Sequence, residues 1–381
     1  MRINKNYQKN GFLKQLFVTL DEKSRGLLDK SKWTHPIYER IILSLETAFY
    51  QAGNYKIIPS FKKELDETIQ RYHTDYARLS SKFLKNLEKD IVKAHLCYHV
   101  SAEEYFLYDF EHQDYWQRWE WLSDKDRLDI LLQHFGENVF EELTDKSFFY
   151  NLAKDYFHRD VCVINDEQSQ EDFQKFTKAH SRFIVKPIGG TMGADTFVTE
   201  VKNEEDVKNL YQQLKQNGDW MVEQLIVQHP DTASWNESSV NTLRIPSFRT
   251  NDGVRILQPF FRTGRKGSVV DNAGHGGIFA VFDPETGIIT TDGVDEHGGR
   301  FEYHPDSHKK FKGWQIPHWE ELKALVKDIH HSLPAHHRYV GFDLALDKDG
   351  QWVLIEGNWG QMVGQMAELK GIRKEFIEYI S

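Results

Sequence analysis

The sequence predicts an α+β protein with a helical N-terminal region, and three patterns carry that expectation. Apolar residues recur at helical spacing up to about residue 95. From Arg182 onward the text changes to short apolar runs separated by Gly, Asn and Asp. Helical stretches such as Glu204–Gln216 and Trp319–Leu333 lie between some of those runs, so strands and helices share one region, pairing antiparallel wherever a tight turn joins them.

Taken in order, Ile37, Ile41, Ile42, Leu45 and Phe49 mark a helix over Pro36–Gln51. Phe61, Leu65, Ile69, Tyr72, Tyr76, Leu79, Phe83, Leu87 and Ile91 continue the period across Ser60–Val100, as one long helix or two with a kink. The Lys, Glu and Asp between them read as a solvated face. Ser123 is placed to cap a helix through Leu128 and Leu132, and Thr144 precedes another, Lys146 to Tyr156. A short strand is expected at Val161–Ile164 and a surface helix at Gln170–Ala179. Further strands follow at Phe183–Val185, Phe197–Thr199, Trp220–Val222, Leu243–Pro246, Arg255–Phe261, Gly277–Phe282, Tyr339–Leu346 and Trp352–Glu356. The expected division is a helical region over 1–115 and a second region over 116–381.

Composition narrows the class. A chain of 381 residues is too long for one small core, and 39% hydrophobic with 28% charged residues is ordinary for a folded protein. The net charge of −10 argues against a general nucleic-acid binder. It leaves room for anionic small molecules, because local clusters of Arg and Lys work inside acidic proteins. Cys97 and Cys162 lack zinc-ligand spacing, form no disulfide framework and read as reduced core residues. The N-terminus shows no apolar run of signal-peptide length, and no stretch of ~18 uncharged apolar residues suggests a membrane span. A cytoplasmic protein is expected.

The chemistry concentrates in Tyr339–Trp359, YVGFDLALDKDGQWVLIEGNW. Asp347–Gly350 is a turn sequence between two strands. Closing the loop there sets Leu346 opposite Gln351 and Asp343 opposite Leu354. One face then carries Val340, Phe342, Leu344, Leu346, Val353 and Ile355, and the other Asp343, Ala345, Trp352, Leu354, Glu356 and Asn358. Two carboxylates and an amide oxygen on one face are hard ligands suited to Mg²⁺. A polar, exposed sheet face is the alternative.

Upstream, Arg182–Thr196 (RFIVKPIGGTMGADT) is an apolar strand that delivers Lys186 and then a loop with Gly189, Gly190 and Gly193. A lysine at a strand end acts as a point charge on phosphate, and glycines let backbone N–H groups approach it. Glu223 interrupts the apolar strand WMVEQLI and needs a partner, either an adenine amino group or a structural Arg or Lys. Arg244 stands inside SVNTLRI, and Arg262, Arg265 and Lys266 gather in FRTGRKG before Asn272-Ala-Gly-His-Gly. Arginines reaching into a cleft would stabilise phosphoryl transfer; surface cations on an edge strand are the alternative. The pairs His330–His331 and His336–His337 have no carboxylate-rich pattern beside them and read as surface residues.

In this order the pieces resemble the ATP-grasp superfamily. SVNTLRI, FRTG…VVDNAGHGG, the elements around His304 and Pro317, and GFDLAL…LIEGNWG resemble its sugar-transfer-associated branch over about 140–370. The resemblance implies an ATP-grasp fold, two α+β lobes sandwiching ATP (about 140–225 and 226–381), with a helical N-terminal extension. By position, Lys146 and Lys186 match the nucleotide lysines, Gly190 and Gly193 the loop over the phosphates, and Glu223 the hinge near adenine. That loop lacks the basic residue many members carry. Arg244 and Arg262 match positions near the γ-phosphate and acyl substrate; Asn272 and His275 fall in a substrate loop; Asp343, Glu356 and Asn358 match the metal ligands. The implied activity is an ADP-forming, ATP- and Mg²⁺-dependent ligase joining a carboxylate to an amine, near polysaccharide or modified-sugar synthesis. A kinase on the same fold and a non-catalytic nucleotide-binding protein are the rival readings. The N-terminal helices are open to use as a substrate lobe, a homodimer contact or a docking surface.

Overall fold

The computed structural model describes residues 59–165, 169–189, 195–267, 276–360 and 362–381. The helix expected at Pro36–Gln51 lies outside them. The chain divides into two compact units, Met1–Phe106 and Leu107–Ser381.

In the first unit the long period resolves into two helices, α1 (Pro59–Tyr72) and α2 (Ser81–Tyr98). The break falls where Leu79 is extended and the Ser80 hydroxyl accepts from Phe83 N at 3.1 Å, which starts a new helix. α2 buries Leu87 and Ile91, which the periodicity marks, together with Val92, Leu96 and Cys97, while Phe83, also marked, is exposed.

The second unit begins with α3 (Asp124–Phe135), α4 (Glu137–Thr144) and α5 (Lys146–Ala153). Ser123 caps α3 as expected, accepting from Asp126 N. The cap of α5 is Asp145 and not Thr144: its Oδ1 accepts from Ser147 N and Phe148 N, both at 2.9 Å. An acid one residue later also suits the helix dipole better than a hydroxyl.

A four-stranded antiparallel sheet follows, in the order β1-β4-β2-β3, from β1 (Val161–Ile164), β2 (Arg182–Pro187), β3 (Phe197–Glu200) and β4 (Trp220–Gln224). Its outer face, with Phe183, Val185 and Val222, packs under α6 (Ser169–Ala179) and α7 (Glu204–Gln216). Lys186 and Glu223 lie on the opposite face, by the alternation of paired strands.

The second sheet has eight strands. Its path runs β10 (Arg300–Phe301), β9 (Gly293–Val294), β8 (Ile278–Val281), β7 (Phe260–Thr263), β5 (Thr242–Thr250), β11 (Tyr339–Leu346) and β12 (Trp352–Asn358), with β6 (Gly253–Ile256) paired to β5. The run Arg255–Phe261, expected as one strand, divides between β6 and β7. Leu243, Ile245, Phe261, Phe342, Leu344 and Leu354 share a core with Leu322, Val326 and Ile329 of α8 (Trp319–Ser332).

Among the described residues, no helix is long and apolar enough to cross a membrane. Both cysteines are buried thiols. The surface reading of the histidine pairs is corrected at two positions. His330 and His337 are fully buried, because His330 lies on the buried face of α8 with Val326 and Ile329, and the turn after the helix brings the His337 carbonyl against its ring.

Candidate functional site

The late hairpin forms through the predicted turn, where Gly350 N donates to Asp347 O at 3.0 Å, but its register is one residue from the expected one. Leu346 pairs with Trp352 and Leu344 with Leu354, which by alternation alone would turn Glu356 to the core side. The ladder then slips: Asp343 pairs with Glu356 and Gly341 with Asn358, leaving Ile355 as the extra residue of a bulge. The bulge restores Asp343, Glu356 and Asn358 to one face and moves Trp352 and Leu354 off it. Gly357 is required there because a Cβ would run into the Phe149 ring.

Neighbouring strands extend this face. Asp343 lies directly across from Arg244, and Ala345 across from Thr242, which in turn pairs with Arg262. The Asp343 carboxylate binds Arg244 through both oxygens and the Arg262 guanidinium at 2.9 Å, while Arg262 Nε donates to Thr242 Oγ1 at 2.8 Å. Burial alone would raise the Asp343 carboxyl, but the two arginines outweigh it and hold it at about 2. Glu356 shifts the other way: burial and the Asp343 charge beside it raise its pKa, against the pull of Arg244, Lys186 and Lys146. Asn358 Nδ2 donates to Glu356 Oε1 at 3.1 Å, and its amide oxygen accepts from Gly360 N at 2.7 Å.

From the four-stranded sheet, Lys186 Nζ pairs with Glu223 Oε1 at 2.9 Å, and Arg159 takes the other oxygen at 2.5 Å. Of the two partners open to Glu223, the structure supplies the cationic one, so both oxygens of its carboxylate are engaged. Burial would raise its pKa; Arg159 and Lys186 hold it at about 2. Arg159 is a residue the sequence reading missed. Its Nη1 also donates to Leu354 O of β12 at 2.5 Å, so one guanidinium ties the two sheets together. No local motif marks it. Lys146, the first residue of α5, donates to the Pro187 and Ile188 carbonyls at 3.2 and 3.4 Å. Its pKa is lowered, chiefly by burial and also by Lys186, against the opposing pull of Glu356 and Glu223.

Lys146, Lys186, Glu223, Arg244, Arg262, Asp343, Glu356 and Asn358 therefore gather in one place, drawn from both sheets and α5. Gly190, Gly193, Asn272 and His275 lie outside the described residues. His304 is buried, meeting Gly264 O through Nε2 at 3.0 Å just past β7. The oxygen set fits a hard divalent ion: Glu356 is a half-buried carboxylate whose ionisation is opposed by a second carboxylate, and a cation beside them would relieve that opposition.

Solved structures similar to this chain include D-alanyl-alanine synthetase A from Vibrio cholerae (14% identity, TM-score 0.39, covering 64% of this chain and 66% of that one). The L-amino acid ligase from Bacillus licheniformis follows at 12% identity and TM-score 0.38, covering 64% and 49%. The ATP-grasp ligase PsnB with its minimal precursor gives 13% and 0.35, covering 60% and 56%. The matched part thus spans about half to two thirds of those chains. Other PsnB structures hold AMPPNP, or Mg and ADP, the nucleotide and ion that ATP-grasp ligases use. No curated protein matches the sequence. The family model for sugar-transfer associated ATP-grasp matches residues 129–379, which takes in both sheets and every residue of the cluster. The chain belongs to the sugar-transfer-associated ATP-grasp family.

Proposed function

We propose that the protein is an ATP- and Mg²⁺-dependent carboxylate–amine ligase that works through an acyl phosphate and releases ADP. The observation that carries this reading is the meeting of two lysines from one side with two carboxylates and two arginines from the other. Lys146 and Lys186 neutralise the phosphate oxygens of ATP. The adenine contact falls to the backbone that follows Glu223, since the side chain is engaged by Arg159 and Lys186. Arg244 and Arg262 stabilise charge on the transferred phosphoryl group, most of the catalysis being positioning and electrostatics. Magnesium, when held by Asp343, Glu356 and Asn358, supplies charge neutralisation between the phosphates. A substrate carboxylate oxygen bonds to the γ-phosphorus as the bond to the β-phosphate oxygen breaks. The amine nitrogen then attacks the acyl carbon, inorganic phosphate leaves, and the amine gives up a proton. The family's association with sugar transfer supports a uronic or amino acid as the acid, in polysaccharide or modified-sugar synthesis.

ADP and phosphate should accumulate only when acid and amine are supplied together, and hydroxylamine in place of the amine should yield a hydroxamate. A stable phosphorylated product from one substrate alone would make the protein a kinase. Lys186→Ala should weaken ATP binding at least about tenfold, or ~1.4 kcal/mol, while Arg159 keeps Glu223 paired and the fold intact. An unchanged ATP affinity by calorimetry would remove Lys186 from the site.

A further inference from the structure

Away from this cluster, a second set of side chains converges with no part in the ligase reading. Glu142 of α4, His336 and His337 place one ligand atom each within 4.8 Å of one another. Both imidazole Nε2 atoms lie 2.9 Å from the same oxygen, Glu142 Oε2. Side chains of consecutive residues ordinarily diverge. Here a tight turn, with His337 N bonded to Pro334 O at 3.0 Å and Arg338 N to His336 O at 2.9 Å, sets the two rings 4.4 Å apart at their centroids.

Two further observations separate this from a chance meeting. The His337 ring is fully buried, and while its Nε2 faces Glu142 Oε2, its Nδ1 has no hydrogen-bond partner. A buried polar group without a partner is costly. The turn is also held rigidly from behind. His330 Nε2 donates to the His337 carbonyl at 2.8 Å, while its Nδ1 meets Ser247 Oγ at 2.7 Å. Ligands fixed on their backbone side are what a preformed ion site needs.

We propose that Glu142, His336 and His337 bind a divalent first-row transition ion, zinc by preference. Two imidazoles and a carboxylate with a place left for water form a tetrahedral N₂O set, which suits zinc and not the all-oxygen preference of magnesium. The 2.9 Å separations are shorter than ligand atoms around an ion require, so the rings and carboxylate move apart slightly on binding. His336 is half exposed and gives the ion a path in from solvent. The neighbouring cation, Arg249, is turned to the carbonyls of Leu333 and Pro334 at 3.1 and 3.4 Å. The ion would join α4, four residues before Lys146, to the turn that opens β11, the strand of Asp343.

The test is titration of the chelator-treated full-length chain with zinc chloride alone, read by calorimetry and thermal midpoint. One zinc per chain should bind, unaffected by millimolar magnesium, and raise the midpoint. His336→Ala and Glu142→Gln should each weaken it at least about 100-fold, and Glu356→Gln should leave it unchanged, which keeps the result separate from the nucleotide site. His336 is exposed enough that its loss leaves folding intact. Cobalt in the same protein should give the strong visible absorption of a tetrahedral N₂O site. No stoichiometric zinc, equal affinity in the His336→Ala and Glu142→Gln proteins, or loss of binding with Glu356→Gln overturns the proposal.

Discussion

Glu356→Gln should lower ATP-dependent turnover at least about 10²–10³-fold and at the same time stabilise the nucleotide-free, metal-free protein at neutral pH. Both effects come from one charge. As a carboxylate, Glu356 contributes to the oxygen set that would hold magnesium; without an ion, that half-buried charge sits beside Asp343. Its folded pKa is raised above the ordinary 4.5, so the folded state resists its ionisation. Wild-type stability from this group is fullest below pH 4.5 and is lost as pH rises through the raised value, whereas glutamine does not titrate. The stability gap between mutant and wild type should therefore open above pH 4.5 in chelator-containing buffer, measured by denaturant midpoints. A mutant less stable than wild type at pH 7, or one that turns over normally, contradicts the role assigned to Glu356.

Glu223→Gln is expected to have the largest effect on stability, a loss of about 3–5 kcal/mol at neutral pH, because it strands Arg159 and Lys186 in the interior. The pH dependence runs opposite to that of Glu356. With a folded pKa of about 2 against an ordinary 4.5, the Glu223 carboxylate contributes stability above pH 4.5 that is lost as pH falls toward 2. The mutant lacks this component, so its deficit should shrink through that window. A constant deficit from pH 7 to pH 2 would place the cost in packing and not in charge. Since Arg159 also holds Leu354 O, the mutant should loosen the link between the two sheets and expose β12 amides to hydrogen exchange.

The strands were legible because their signals are local. Period-two alternation, Ser123 before α3 and the Asp347–Gly350 turn each act within a few residues, and all reappear in the fold. The lysine–carboxylate cluster was legible through its order along the chain, which the family resemblance interpreted. Even so, the face shared by Asp343 and Glu356 was reached through a register one residue off, with the bulge at Ile355 making up the difference. Alternation reports which way a side chain points within a strand; it carries no information on where the partner strand slips.

By itself the sequence determined which segments become strands and helices and which charged side chains are available, because backbone preferences and side-chain chemistry are properties of short windows. Only the tertiary structure decided which charges meet. It gave Glu223 to Arg159 and Lys186, Asp343 to Arg244 and Arg262, and buried His337 against Glu142. Those pairings join residues up to 195 positions apart, as the reach of His337 to Glu142 illustrates. Their energies depend on burial and distance, which exist only once the sheets have packed.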